Sequence, residues 1–531
     1  MRSGEEEPNP FVGATYGTAL ARIAAVHGER EALVFGGRRW TFADVLVEIE
    51  RAAARLFTLD LRPGDSIAIW LSNRPDFLWY WLGAARSGLV PVVLNARLRP
   101  DEAAYQIGQS DSRALIVPGD GAFRDFVADV EAVRDRLPAL RHVVALDPTR
   151  HAGVLDWSIP APADLPAAPV ASDPDAPALI SYSSGTTALP KGAMITHCVF
   201  RKAWDIGTRV DLSCDERLAL AIPLFGSMAM MNGVLPFWVR GAAMVLLERF
   251  EAASFVETVR AERCTMAHLL PPMVLQLAEV PAADRSGLSS LRVAWVLSND
   301  AEVLAIAADR LGIPGVMTGY GLTETTTVLT RNRWDDPREA RFETQGRPLP
   351  GIDLRVVDPR SGETCAPGVP GEIRVRGYCV MKGYYRKPQE TAAVIDGDGW
   401  LRTGDVGVMR EDGRLTFLHR LGDGYKTNGF NVSPAEVESV LRRHPAIADV
   451  AVFGRADPAA GQVGVACVVV RPGVRFDERD ILAFARPLLS SYKIPRFVVR
   501  VDELPMTSGT GKVQKGRLRE SVEPLLDAVR P

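Results

Sequence analysis

Long apolar runs are missing from this 531-residue chain. No stretch approaches eighteen uninterrupted apolar residues, so no membrane-spanning helix is expected. A surplus of one charge is missing too. The formal net charge is −3, which argues against a nucleic-acid binder, since that function calls for a basic face. Cysteine is sparse and scattered. Cys198, Cys214, Cys264, Cys365, Cys379 and Cys467 stand in no CxxC or other metal-ligand spacing, and they read as reduced thiols of a cytoplasmic protein. The opening residues, MRSGEEEPNP, offer neither a basic start nor an apolar run, so no secretion signal is expected. Internal repeats and low-complexity tracts are also lacking. What is present is ordinary for a soluble globular protein, with 47% hydrophobic and 24% charged residues. The length exceeds what one core usually serves, so at least two domains are expected.

Helical and extended patterns alternate along most of the chain. Helical periodicity fills Phe42–Leu59 and Asp76–Ser87, and apolar strand-like runs occur at Ser66–Trp70, Ala114–Val117, His142–Ala145 and Ala243–Leu247. This alternation implies layered α/β architecture with parallel sheets. The segment Ala161–Pro177, rich in Pro, Ala and Asp, reads as a loop between two subdomains. From Pro348 the pattern turns to short strands at Leu354–Val357, Glu372–Arg376, Val406–Arg410 and Leu415–Leu418, a β-rich subdomain. A boundary is expected at Arg420–Gly424. Residues 1–420 then form a large N-terminal domain, and residues 421–531 a small mobile α+β domain. In the latter, Pro434–Arg443 and Glu478–Leu489 read as helices, and Ile447–Phe453 and Gly464–Val470 as strands.

The strongest local signal is Ser181-Tyr-Ser-Ser-Gly-Thr-Thr-Ala-Leu-Pro-Lys-Gly192. Ser183, Ser184, Thr186 and Thr187 crowd around Gly185, and Lys191 follows. Small hydroxylated residues and glycine let backbone N–H and side-chain O–H groups converge on phosphate oxygens, and a lysine adds a point charge. The spacing is not the Walker pattern GxxxxGK[ST]. A Ser/Thr-rich surface turn is the alternative reading of the loop by itself.

SSGTTALPKG resembles the TSGTTGxPKG signature of the acyl- and aryl-CoA synthetases, adenylation domains and luciferases, in the style of the 4-coumarate and fatty-acid CoA ligases. Ala188 stands where that signature has Gly. Five further elements follow in the family's order. In Gly319-Tyr-Gly-Leu-Thr-Glu324, the resemblance puts Tyr320 on adenine, Thr323 at the α-phosphate and Glu324 on Mg²⁺. Trp400-Leu-Arg-Thr-Gly-Asp405 implies that Asp405 accepts hydrogen bonds from the ribose hydroxyls. Arg420-Leu-Gly-Asp423 resembles the domain hinge, with Arg420 also reaching the ribose; His419 and Gly422 depart from the usual residues there. Lys426-Thr-Asn-Gly-Phe-Asn-Val-Ser-Pro434 resembles the loop lining the pantetheine tunnel, with Gly429 at its glycine. Pro505-Met-Thr-Ser-Gly-Thr-Gly-Lys512 resembles the mobile loop of the adenylation lysine, one residue longer than the usual spacing. By that resemblance Lys512 bridges the substrate carboxylate and the α-phosphate.

The acyl site is where the sequence departs from the family. Ile222-Pro-Leu-Phe-Gly-Ser-Met-Ala-Met-Met231 resembles the PLFH element, so Phe225, Gly226 and Met228 fall at the acyl pocket, with Gly226 replacing an aromatic or His gate. Leu297-Ser-Asn-Asp300 stands where the family shows GGAP, whose backbone flanks adenine and floors the acyl site. Leu297 would shorten the floor, while Ser298, Asn299 and Asp300 border the nucleotide and add polar groups. Thr318 stands where Gln, Asn or Glu commonly precedes the YG element. Neutral drift in a tolerant pocket and an unusual substrate both account for these changes. Met230 and Met231 read as core packing, and His197 and His268 as structural residues.

The resemblance implies an ATP- and Mg²⁺-dependent enzyme that activates a carboxylic acid as acyl-AMP, releases pyrophosphate and passes the acyl group to a thiol, with CoA as co-substrate. Alternatives are a carrier-protein thiol, an amine, or an adenylated inorganic acid such as nitrite. An inactive ligand-binding relative is a third reading, disfavoured by the retained Lys191, Glu324, Asp405 and Lys512.

Overall fold

The structure is a computed structural model and describes residues 8–159, 162, 164–183, 189–421, 424–427, 430–432, 434–457, 460–489, 491–507 and 513–528. The chain divides into two compact units, one formed by residues 1–183, 190–353 and 375–401, the other by 184–189, 354–374 and 402–531.

Two seven-stranded sheets organise the first unit. One runs in the order Gly315–Met317, Val293–Val296, Met266–Leu269, Arg217–Leu220, Ala243–Leu246, Glu31–Phe35 and Arg38–Thr41. The other runs Leu155–Asp156, His142–Ala145, Ala114–Val117, Ser66–Ile69, Val90–Val93, Pro177–Ser183 and Lys191–Thr196. Pairing is parallel within each sheet except at one edge, where a consecutive pair closes an antiparallel hairpin. Parallel strands need covered faces on both sides, and the short all-buried strands meet that need. The helix Pro75–Arg86 is apolar all round, and its residues from Phe77 to Ala85 are buried. Side chains of both sheets, including Ile67 and Leu218, share one core with it. The preceding helix, Phe42–Phe57, begins in a reciprocal cap: Thr41 Oγ1 accepts from Asp44 N–H, and Asp44 accepts from Thr41 N–H. The expected helices and strands are found with their ends moved by a few residues. A three-stranded sheet of Gly319–Leu322, Thr327–Arg331 and Arg347–Pro348 had no strand signal in the sequence.

Ile352–Val357, Gly371–Gly377, Leu401–Met409 and Leu415–Arg420, most of whose residues fall in the second unit, form a four-stranded sheet. A second sheet joins Phe430–Val432, Tyr425–Thr427, Gly461–Val470 and Ile447–Asp457, with Phe497–Arg500 pairing parallel to Gly461–Val470. The two-residue period of its strands sorts the core. Val450 and Val452 face the helices Pro434–Arg442 and Glu478–Ala485, while Ala451 and Phe453 face Lys515–Ala528. The strand at Leu401–Met409 starts earlier than the sequence implies, and the helix from Glu478 ends earlier, at Ala485. Among the described residues no helix is long and apolar enough to cross a membrane.

Candidate functional site

Glu324 lies in the short 3-10 turn Thr323–Thr325, between the antiparallel strands Gly319–Leu322 and Thr327–Arg331. The pairing carries a bulge after Tyr320, and a Cβ on Gly321 would stand 1.9 Å from Thr327 O, so only glycine fits there. Behind Glu324, Thr326 and Thr327 both take left-handed backbone, at φ 54° and 69°. Each such non-glycine residue costs about 1–2 kcal/mol. Four hydrogen bonds offset that strain. Lys202 Nζ donates to Thr325 O (2.5 Å) and Thr326 O (2.9 Å), Thr326 Oγ1 to Cys379 O (2.8 Å), and Thr327 Oγ1 to Asn232 Oδ1 (2.7 Å). Lys202 is fully buried, and burial pushes its ammonium down to about 8. Sequence reasoning passed over this lysine. Its signal was position: it falls on the apolar face of helix Val199–Arg209, beside Val199, Ala203 and Ile206.

Tyr384 is the second residue at the candidate site that the sequence reading missed. Its hydroxyl donates to Glu324 Oε1 (2.9 Å), and Lys191 Nζ stands 5.1 Å from the centre of its ring. One side chain thus joins the two expected charged groups. Its backbone is clamped onto the strand Lys191–Thr196, since Lys382 N–H donates to Met194 O, Met194 N–H to Gly383 O and Tyr385 N–H to Gly192 O. Met381 N–H donates to Glu324 O. The other oxygen of Glu324 has no partner among the described residues. Tyr320 is buried, and Gly319 and Thr323 are half-buried on the same strand and turn.

Of the phosphate loop, Ser184, Gly185, Thr186 and Thr187 lie outside the described residues, as do Gly429 and Lys512. Ser183 ends the strand Pro177–Ser183 and Lys426 sits in Tyr425–Thr427, with only their backbones described. The ends flanking the Lys512 loop meet: Met506 and Val513 form a bridge, and Gln514 N–H donates to Pro505 O (2.7 Å). Next to them, Lys515 Nζ is held by Glu438 (2.7 Å) and Val452 O (2.9 Å). In the second unit, Asp405 is buried and pairs in register with Arg420, whose Nε is 3.7 Å from Oδ1. Gly404, just before Asp405 in the same strand, takes a left-handed φ of 68°.

The residues expected at the acyl pocket lie in the first unit. A Cβ on Gly226 would meet one atom, Pro223 O, in a tight contact at 3.2 Å. Phe225 and Met228 are half-buried, and Met230 and Met231 are core. Leu297 is 40% exposed. Ser298 Oγ accepts from Asp300 N–H, and Asp300 caps the helix Ala301–Ala305. Also in the first unit, four polar side chains are buried with atoms that find no hydrogen-bond partner among the described residues: His268 Nδ1, Trp295 Nε1, Thr318 Oγ1 and Arg331 Nε. The Arg331 guanidinium lies 3.5 Å from the centre of the Trp295 ring, and the His268 ring stands edge-on to Trp295 at 5.0 Å. Burial, helped by Arg209, pushes Arg331 down to about 9, so it stays charged at neutral pH. Burial also drives His268 well below the usual imidazole range. Burying one charge costs several kcal/mol even after relaxation, whereas a desolvated cation–π contact returns about 2 kcal/mol. The stack on Trp295 therefore does not balance the burial of Arg331. The other sequence-assigned histidine, His197, accepts a hydrogen bond from Tyr16 N–H and is structural.

A family model for AMP-binding enzymes matches residues 20–385, and one for the AMP-binding enzyme C-terminal domain matches residues 436–512. The chain is 32% identical to a putative acyl-CoA synthetase of Bacillus subtilis (strain 168), covering 96% of this chain and 97% of that protein. It is 35% identical to a feruloyl-CoA synthase of Amycolatopsis sp, over 95% and 98% of the two chains. Its fold is similar to the crystal structure of an anthranilate CoA ligase in complex with anthranoyl-AMP, at TM-score 0.85 and 28% identity, over 97% and 98% of the chains. Motif order, layered architecture and full-length similarity agree: this chain belongs to the AMP-binding enzyme family, among its AMP-forming acid–thiol ligases.

Proposed function

We propose that the protein uses ATP to activate a small carboxylic acid as acyl-AMP and then transfers the acyl group to CoA. The observation that carries this reading is the Glu324–Tyr384–Lys191 constellation: a carboxylate and a lysine joined through one tyrosine on a strained, well-tied turn. In the first step a carboxylate oxygen attacks the α-phosphorus, a carboxylate–phosphorus bond forms, and the bond to the β-phosphate oxygen breaks with pyrophosphate leaving. Lys512 steadies the carboxylate against the α-phosphate, and Lys191 meets charge on the departing pyrophosphate. Ser183, Ser184, Gly185, Thr186 and Thr187 cradle the phosphates, Tyr320 and the 298–300 backbone hold adenine, Thr323 contacts the α-phosphate, and Asp405 with Arg420 takes the ribose.

Glu324 fits a magnesium ion on the triphosphate. It offers one oxygen fixed by Tyr384 and one without a partner among the described residues, and such ions are held by one or two carboxylates together with substrate phosphates. When bound, the ion would neutralise phosphate charge. In the second step the CoA thiol attacks the acyl carbonyl, the thioester forms and AMP leaves. Lys426 and Gly429 border the thiol's path, and the domain beginning at residue 421 turns about Arg420–Asp423 between the steps. The six cysteines, all unpaired, support a reducing, cytoplasmic location.

The test is pyrophosphate release across a panel of carboxylic acids, with and without CoA. Acid-dependent release, and thioester only when CoA is present, are expected. Release without acid dependence would overturn the reading.

A further inference from the structure

We propose that the acid activated here carries a second anionic oxygen group remote from its reacting carboxylate, and that Arg331 receives it. This rests on the adenylation reading above and names the substrate class of that same site. Of the two cationic side chains among the largest fully buried ones, Lys202 donates to two carbonyls, while Arg331 has no carboxylate or carbonyl partner among the described residues. Its surroundings are matched to an acceptor. Trp295 Nε1 can only donate, Thr318 Oγ1 can donate, and both are buried without partners. Water could satisfy those atoms, but it would leave the guanidinium charge unbalanced.

The position is that of a substrate end. His268 and Trp295 lie near the carboxyl ends of adjacent parallel strands, in register with one another, and Thr318 directly follows the next strand, Gly315–Met317. Ligands of open α/β sheets bind at that edge. Arg331 is also in cross-strand register with Gly319, next to Tyr320 and one turn from Glu324. Cross-strand neighbours stand about 5 Å apart, so the second anion sits close to the nucleotide end. A short or aromatic dicarboxylic acid meets that spacing; a long alkyl acid would press its chain against an unpaired cation.

The experiment compares matched pairs, glutarate against pentanoate and isophthalate against 3-methylbenzoate, in two readouts on the full chain. One is acid-dependent pyrophosphate release, taken as kcat/KM; the other is calorimetric binding of each acid without ATP. The wild-type protein is expected to favour the diacid of each pair by about tenfold or more, and Arg331→Met to reduce that ratio by about a hundredfold. Arg331→Lys should recover part of the ratio. Should Arg331→Met not fold, the wild-type binding preference decides. A wild-type preference for the monoacids, or a ratio unchanged in Arg331→Met, overturns the proposal and makes Arg331 a packing residue, with the adenylation reading intact. Diacid-selective binding lost in Arg331→Met, but with no acid-dependent pyrophosphate release, would instead sink the adenylation reading and keep the anion site.

Discussion

The two ends of the first unit's site are built on opposite principles. At the proposed nucleotide end Glu324 is held by Tyr384, and the left-handed turn behind it by Lys202, Asn232 and Cys379 O. At the acyl end Arg331, Trp295, Thr318 and His268 are buried with polar atoms left open. A scaffold that serves many acids needs one rigid end for the part of the reaction that never changes. The other end must hold its interactions back for the substrate.

Changes at the nucleotide end should lower activity for every acid alike. The largest loss is expected from Lys512→Ala, which in the proposed mechanism removes charge stabilisation at the α-phosphate. It should slow pyrophosphate release about a hundred- to a thousandfold, with ATP affinity by calorimetry little changed; release near the wild-type rate would discard the assigned role. Lys202→Met comes next. It leaves the carbonyls of Thr325 and Thr326 without their buried donor, at a cost of about 3 kcal/mol. A lowered Tm together with a uniform fall in kcat/KM across acids is the expected signature. A fall confined to some acids would blur the division between the two ends. Tyr384→Phe keeps the ring against Lys191 and removes one hydrogen bond to a carboxylate, worth about 1.5–3 kcal/mol. Turnover should drop about tenfold or more and need more Mg²⁺ to saturate; an unchanged magnesium titration would mean that Tyr384 does not orient Glu324.

The smallest effect lies at the acyl end and is read by pH. Folding holds His268 neutral because burial lowers its affinity for protons, and Arg331 adds to this. Below the unfolded imidazole's range only the unfolded chain takes up the proton, so stability falls with acidification. From this group the loss is about 1 kcal/mol per pH unit below 6.5. His268→Asn should flatten that slope in denaturant melts between pH 6.5 and 5.5. An unaltered slope would show that His268 is not held neutral by its surroundings.

Much of this organisation was legible in the residues. The alternation of apolar runs and helical periodicity gave the layered α/β unit because buried parallel strands and amphipathic helices differ in period. The motif series from Ser183 to Lys512 marked out the family to which the chain belongs. What stayed hidden were contacts between residues distant in the chain. Tyr384 sits 60 residues from Glu324 on a segment with no signal of its own, and the strand Thr327–Arg331 is buried on both faces, so its arginine showed no period. Lys202 was readable as a cation on an apolar helix face. Leu297, expected at the pocket floor, is 40% exposed in the first unit.

The central claim is that an acid carboxylate attacks the α-phosphorus of ATP, and isotope transfer tests it most directly. An acid labelled with ¹⁸O in both carboxylate oxygens, turned over with ATP and CoA, should deliver one label to AMP and keep the other in the thioester carbonyl. Label in pyrophosphate, unlabelled AMP, or formation of ADP in place of AMP would contradict the account.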